Sequence, residues 1–88
     1  MKRAELKEVL SQPTAESRRL YRMYPDLYYY LVVWEDYLNE LAFSRKRKFK
    51  APRNRARYTI MVAYHIGENT FYKIRSTLAF LCSDMEDR

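Results

Sequence analysis

A single glycine, Gly67, and three prolines, Pro13, Pro25 and Pro52, are almost all that this chain has for turning corners. A many-stranded β fold needs punctuation every few residues, built from glycine, proline and short polar side chains. With so little of it in 88 residues, the chain points to helices joined at a few fixed places. The apolar spacing agrees. Leu27, Leu31, Trp34, Leu38 and Leu41 recur at intervals of four, three, four and three, which traces one face of a helix. Burying a large side chain fully contributes roughly 1.5–3 kcal/mol, so this stripe can anchor a domain. The expectation is a single all-α domain over residues 1–88, a small bundle of about five helices ending in a helix–turn–helix.

The prolines divide the first half. Lys2 to Ser11 reads as a short amphipathic helix, which Pro13 ends because it cannot continue the hydrogen-bond ladder. Thr14 is a good N-cap for a second helix running to about Tyr24, with Glu16 in its first turn. Pro25 suits the first position of the anchor helix, read as 26–43 within a helical support of residues 1–44. Nine tyrosines belong at the edge of the core, since their rings pack while their hydroxyls need water or a partner. Tyr28, Tyr29, Tyr30 and Tyr37 surround the anchor stripe, either packing on neighbouring helices or presenting a surface to a partner. Glu35, Asp36 and Glu40 read as an acidic patch that solvates the anchor helix or meets a protein.

Charge is placed unevenly. The net charge is +6, but residues 1–40 hold six basic and seven acidic side chains, while residues 41–88 hold eleven and four. Between Glu40 and Glu68 lie eight Lys or Arg and no carboxylate. Such asymmetry points to a polyanionic partner for the second half. Residues 45–57 read as a basic loop or arm, interrupted by Pro52. Arg45, Lys46, Arg47, Lys48, Lys50, Arg53, Arg55 and Arg57 are its candidate phosphate contacts, supplying affinity and register but little sequence information.

Residues 58–82 form the helix–turn–helix candidate. Tyr58 to Ile66 is a short apolar helix, and Gly67 can cap the next one or allow a sharp turn. With Gly67 as N-cap, Ile66 and Phe71 take the positions of a hydrophobic staple. Phe71, Ile74, Leu78 and Leu81 then face inward on a recognition helix of about 68–82. Asn69, Tyr72, Lys73 and Ser76 face outward as candidate base contacts, with Thr70 and Arg75 as further phosphate contacts. Asn pairs bidentately with adenine and Lys donates to guanine, so these are groove-reading residue types.

The stretch HIGENTFYKIRSTLAFL, and within it Thr70-Phe71-Tyr72-Lys73-Ile74-Arg75, resembles the recognition half of sigma region-4-like domains of the ArpU/RinA type. The resemblance spans roughly residues 58–81. It implies a phage- or prophage-encoded transcriptional regulator of late genes, whose second helix enters the promoter's major groove. The chain departs from the family where Gly67 replaces a serine cap and where His65 stands in place of a glycine before the turn. Ala63-xxx-Gly67 also fits the Ala-xxx-Gly spacing of repressor-type units, in a competing register.

The expected partner is double-stranded DNA, with RNA polymerase, another protein or a second copy of the chain alongside it. A protein-interaction module using the tyrosine-rich surface, as in a phage-type inhibitor or adaptor, is the main alternative. RNA binding by the arginine-rich segment is the other. No enzymatic activity, cofactor or metal is expected: the lone His65 and the lone Cys82 have no sequence-local catalytic or ligating pattern. His65 reads as a helix-end residue and Cys82 as a buried structural thiol. A single cysteine, a charged N-terminal stretch and apolar runs no longer than Leu27–Trp34 point to a cytoplasmic protein without membrane contact. The polar tail Ser83–Arg88 is expected to fray.

Overall fold

The computed structural model describes residues 1–85, and they are all-helical. Five helices follow one another: α1 (Arg3–Leu10), α2 (Ala15–Met23), α3 (Leu27–Lys46), α4 (Pro52–Tyr64) and α5 (Glu68–Leu81). Helix α3 is the hub. It touches α1, α4 and α5, and its longest contact is with α4. The anchor stripe does what its spacing predicts: Leu27, Leu31, Trp34 and Leu41 are buried, and Leu38 is packed against them. Leu6, Leu10, Ala56, Ile60, Phe71, Ile74 and Leu78 complete a core shared by α1, α3, α4 and α5.

Local signals set the helix starts. The Thr14 hydroxyl accepts from the Ser17 backbone N–H at 3.1 Å, the N-cap bond expected of it. On α1 the Glu5 carboxylate reaches back to the Lys2 backbone N–H at 3.3 Å, which satisfies a donor the helix leaves open. The tyrosines sit as their chemistry requires. Tyr37 is buried, Tyr21, Tyr24, Tyr30 and Tyr64 are half-buried, and Tyr28, Tyr29, Tyr58 and Tyr72 are exposed.

Two boundaries differ from the sequence reading. Pro25 lies in the turn before α3 rather than at its first position. More consequentially, residues 45–57 are not an arm. Helix α3 runs through Arg45 and Lys46, residues 47–51 make a short turn, and α4 begins at Pro52. Lys and Arg are good helix formers, and at a helix C-terminus they also suit the dipole, so a basic run does not by itself end a helix. Pro52 likewise starts a helix here, at the position where its missing N–H costs nothing.

The tail is tied down as far as it is described. The Ser83 backbone N–H donates to the Met1 carbonyl at 2.9 Å, and the Asp84 carboxylate accepts from the Arg3 N–H at 2.8 Å. Arg3 also pairs with Asp84 through its guanidinium. The fraying expected of Ser83 and Asp84 is therefore not found, and the reading for residues 86–88 lies outside the described residues. No helix among the described residues is long and apolar enough to cross a membrane.

Candidate nucleic-acid interface

Helix α5 is positioned from both ends of its first turns. Gly67 is its N-cap, in extended backbone at φ −87°, and its carbonyl accepts from the Phe71 N–H at 3.0 Å. Ile66 and Phe71 both join the core, as the staple arrangement requires. The Phe71 ring lies 5.9 Å from Trp34 and 5.1 Å, edge-on, from Tyr37. This three-ring contact fixes the rotation of α5 on α3. With Phe71, Ile74 and Leu78 turned inward, Asn69, Tyr72, Lys73, Ser76 and Arg75 are exposed and Thr70 is half-buried. All four candidate base contacts share one outward face.

That face abuts α4 through Arg57. The Arg57 guanidinium donates to the Tyr72 hydroxyl at 2.7 Å, stands 3.6 Å from the Glu68 carboxylate, and lies 5.8 Å from the Tyr72 ring centre. Two residues assigned separate contacts by sequence are thus bonded to each other. Glu68 is the only carboxylate between Glu40 and Asp84, and it is the one that Arg57 pairs.

Folding divides the basic run into several directions. Two positions apart on a helix means about 200° apart around its axis, so Arg55 and Arg57 point to opposite sides of α4. Arg57 faces α5, whereas Arg55 stacks over Phe49 at 4.0 Å. Arg45 lines a groove with Lys2, Asp84 and Met85, at the joined ends of the chain. Lys46, Arg47, Lys48 and Lys50 are exposed around the α3–α4 corner, and Arg53 is exposed on α4. The eight cations predicted as a single phosphate-binding arm therefore cannot all meet one strand.

The corner itself is built, not loose. The Phe49 N–H donates to the Ser44 carbonyl and the Lys48 N–H to the Arg45 carbonyl, each at 3.0 Å, with Lys48 in the left-handed region at φ 57°. This is a Schellman motif, and the Phe43–Phe49 contact, 6.2 Å between centres, is the apolar pairing that accompanies it. Helix α4 ends the same way. Ile66 donates to Met61 at 3.0 Å and His65 to Val62 at 3.4 Å, with His65 at φ 54°. His65 is a helix-end residue in a position that favours glycine. Ala63 is exposed, so the repressor-type register, which needs it packed, is not adopted.

Sequence reasoning passed over two aromatic residues. Phe80 is 80% exposed and falls on the outward stripe of α5 seven residues beyond Lys73. Its place two residues after the inward Leu78 was the available signal. Phe43 is 50% exposed on the last turns of α3, with the Arg47 guanidinium 5.5 Å from its ring centre. The acidic patch, by contrast, is mostly internal glue. Glu35 takes Lys7 at 3.4 Å, and Asp36 accepts the Tyr64 hydroxyl. That bond, with partial burial and the Asp36 charge, pushes the Tyr64 hydroxyl up from 10.0 to about 12. Cys82 is buried, and burial followed by the Asp84 charge raises its thiol above the ordinary range, as suits an inert thiol. No family model, no curated protein and no solved structure matches this chain.

Proposed function

We propose that this chain is a sequence-specific, DNA-binding transcriptional regulator in which α4 and α5 act as a helix–turn–helix. Helix α5 lies in the major groove with Asn69, Tyr72, Lys73 and Ser76 toward base edges. Cations flanking that face, Arg57 and Arg53 on α4 and Arg75 on α5, bear on phosphates, and Lys46, Lys48 and Lys50 extend the positive field. The observation that carries the reading is the Arg57–Tyr72 bond, which joins the cationic helix to the outward polar face as one surface. Its only carboxylate, Glu68, is already paired. The resemblance of Thr70–Arg75 to ArpU/RinA-type regulators supports a role on phage or prophage promoters, with RNA polymerase or a second copy as further partner.

Equilibrium binding to duplex DNA across a range of salt tests it. Binding is steeply salt-dependent, and Lys46→Ala weakens all sequences alike and flattens the log–log slope by about 1. Lys73→Ala or Asn69→Ala costs about 1–3 kcal/mol on the preferred site and relaxes it at one position. If the two kinds of variant behave identically, α5 is not reading bases. A protein-interaction role is favoured by one observation, the exposed Phe80 on the same face. Absence of duplex binding at low salt, together with a stable protein complex lost in Phe80→Ala, decides for it.

A further inference from the structure

The α3–α4 corner holds an arrangement that duplex binding leaves unused. Phe43 and Phe49 meet edge-on, Arg47 lies against the first ring and Arg55 covers the second. Around them stand Lys46, Lys48 and Lys50, all exposed and none in an ion pair among the described residues. Phe49 is half-buried and its ring face is taken by Arg55, but Phe43 leaves half its surface to solvent. The backbone here is fixed in an unfavourable way to hold this shape. Lys48 and Ala51 both take left-handed conformations, at φ 57° and 49°, within one short turn. Glycine would relieve Lys48 of that strain and lose the cation.

A double helix cannot use an exposed phenyl ring beside a guanidinium, because its bases are already stacked. An unpaired nucleotide can. Its base has two free π faces, and its two flanking phosphates sit within reach of cations placed on either side of a ring. We propose that Phe43 and Arg47 form a stacking site for an unpaired nucleobase, with Lys46, Lys48 and Lys50 on the adjoining phosphates. The ligand is single-stranded nucleic acid, and the shared chemistry, a base between phosphates, is common to DNA and RNA. The site is independent of α5: it lies at the other end of α4, on the side away from the Arg57–Tyr72 contact.

Binding of the full chain to labelled oligothymidylate, oligouridylate and an abasic strand of the same length and charge tests the proposal. Phe43→Ala is compared with Phe43→Trp and with Lys73→Ala, and thermal melting checks that each variant folds. Base–aromatic stacking of about 1–3 kcal/mol per base corresponds to a loss of roughly 5–150-fold. Phe43→Ala shows that loss on base-bearing strands and none on the abasic strand, Phe43→Trp restores binding, and Lys73→Ala leaves it unchanged. Tighter binding of the uridine or of the thymidine strand tells which sugar is preferred, and either one carries the site. Equal weakening of abasic and base-bearing strands by Phe43→Ala, or no weakening at all, overturns it. Loss of single-strand binding in Lys73→Ala overturns it as well, by placing the strand on α5. Failure of the duplex experiments leaves these readouts intact, since none of them uses a duplex.

Discussion

Lys48, Ala51 and His65 hold left-handed backbone without being glycine, while the only glycine in the chain does not need to be one. Gly67 sits at φ −87° and ψ 175°, which any residue adopts, and a Cβ there would meet open space. Gly67→Ser is therefore predicted to fold and to gain a few tenths of a kcal/mol from a side-chain cap, read as a small rise in the denaturation midpoint. Left-handed backbone costs an L-residue about 1–2 kcal/mol, and glycine returns about 0.5–1 of that as lost chain entropy. His65→Gly should thus stabilise the fold by about 0.5–1 kcal/mol in urea titration. Lys48→Gly should give a similar gain while weakening nucleic-acid binding and lowering its salt slope by about 1. A gain in stability without loss of binding would mean that Lys48 carries no phosphate. None of this was legible in the sequence, because a turn that tolerates strain looks like a helix interior when no glycine marks it.

At the scale of elements, α3 was read well from its spacing, since five apolar positions on one face have few other ways to be buried. Its end was not, because charge was taken for irregular structure when Ser44 to Lys46 simply continue the helix. Trp34 is fully buried at the meeting of α3 and α5, and its indole N–H has no hydrogen-bond partner among the described residues. Trp34→Ala is predicted to cost about 3–5 kcal/mol. Trp34→Phe should cost much less, because it removes an unpaired buried donor along with the lost volume. The α3–α4 contact carries a second, titratable link. The Asp36 carboxylate holds the Tyr64 proton, so the folded-state value of about 12 lies above the ordinary 10.0. A raised value in the folded state means that the unfolded chain gives up the proton first. This contribution is complete below pH 10 and falls away as pH rises toward about 12. Tyr64→Phe should flatten that part of the stability profile, and an unchanged profile would show that the bond contributes nothing.

For the whole molecule, charge asymmetry was visible in the sequence but its geometry was not. A linear reading sums eight cations into one arm, whereas the folded chain, 45 × 22 × 18 Å, spreads them over the α5 side, the corner and the joined chain ends. The salt slope should therefore report fewer phosphates than the eight cations counted, because only those on the contacting side release counterions. The outward face of α5 was legible, since Phe71, Ile74 and Leu78 dictate its rotation. Its bond to Arg57 was not, since it depends on how α4 crosses α5. The central claim is that this joined face reads sequence, and selection of bound sites from random duplex DNA at near-physiological salt tests it most directly. The account predicts enrichment of one motif by the natural chain and degeneracy at a single position of that motif with Lys73→Ala. Recovery of unenriched sequence, or a motif that Lys73→Ala and Asn69→Ala both leave intact, would contradict it.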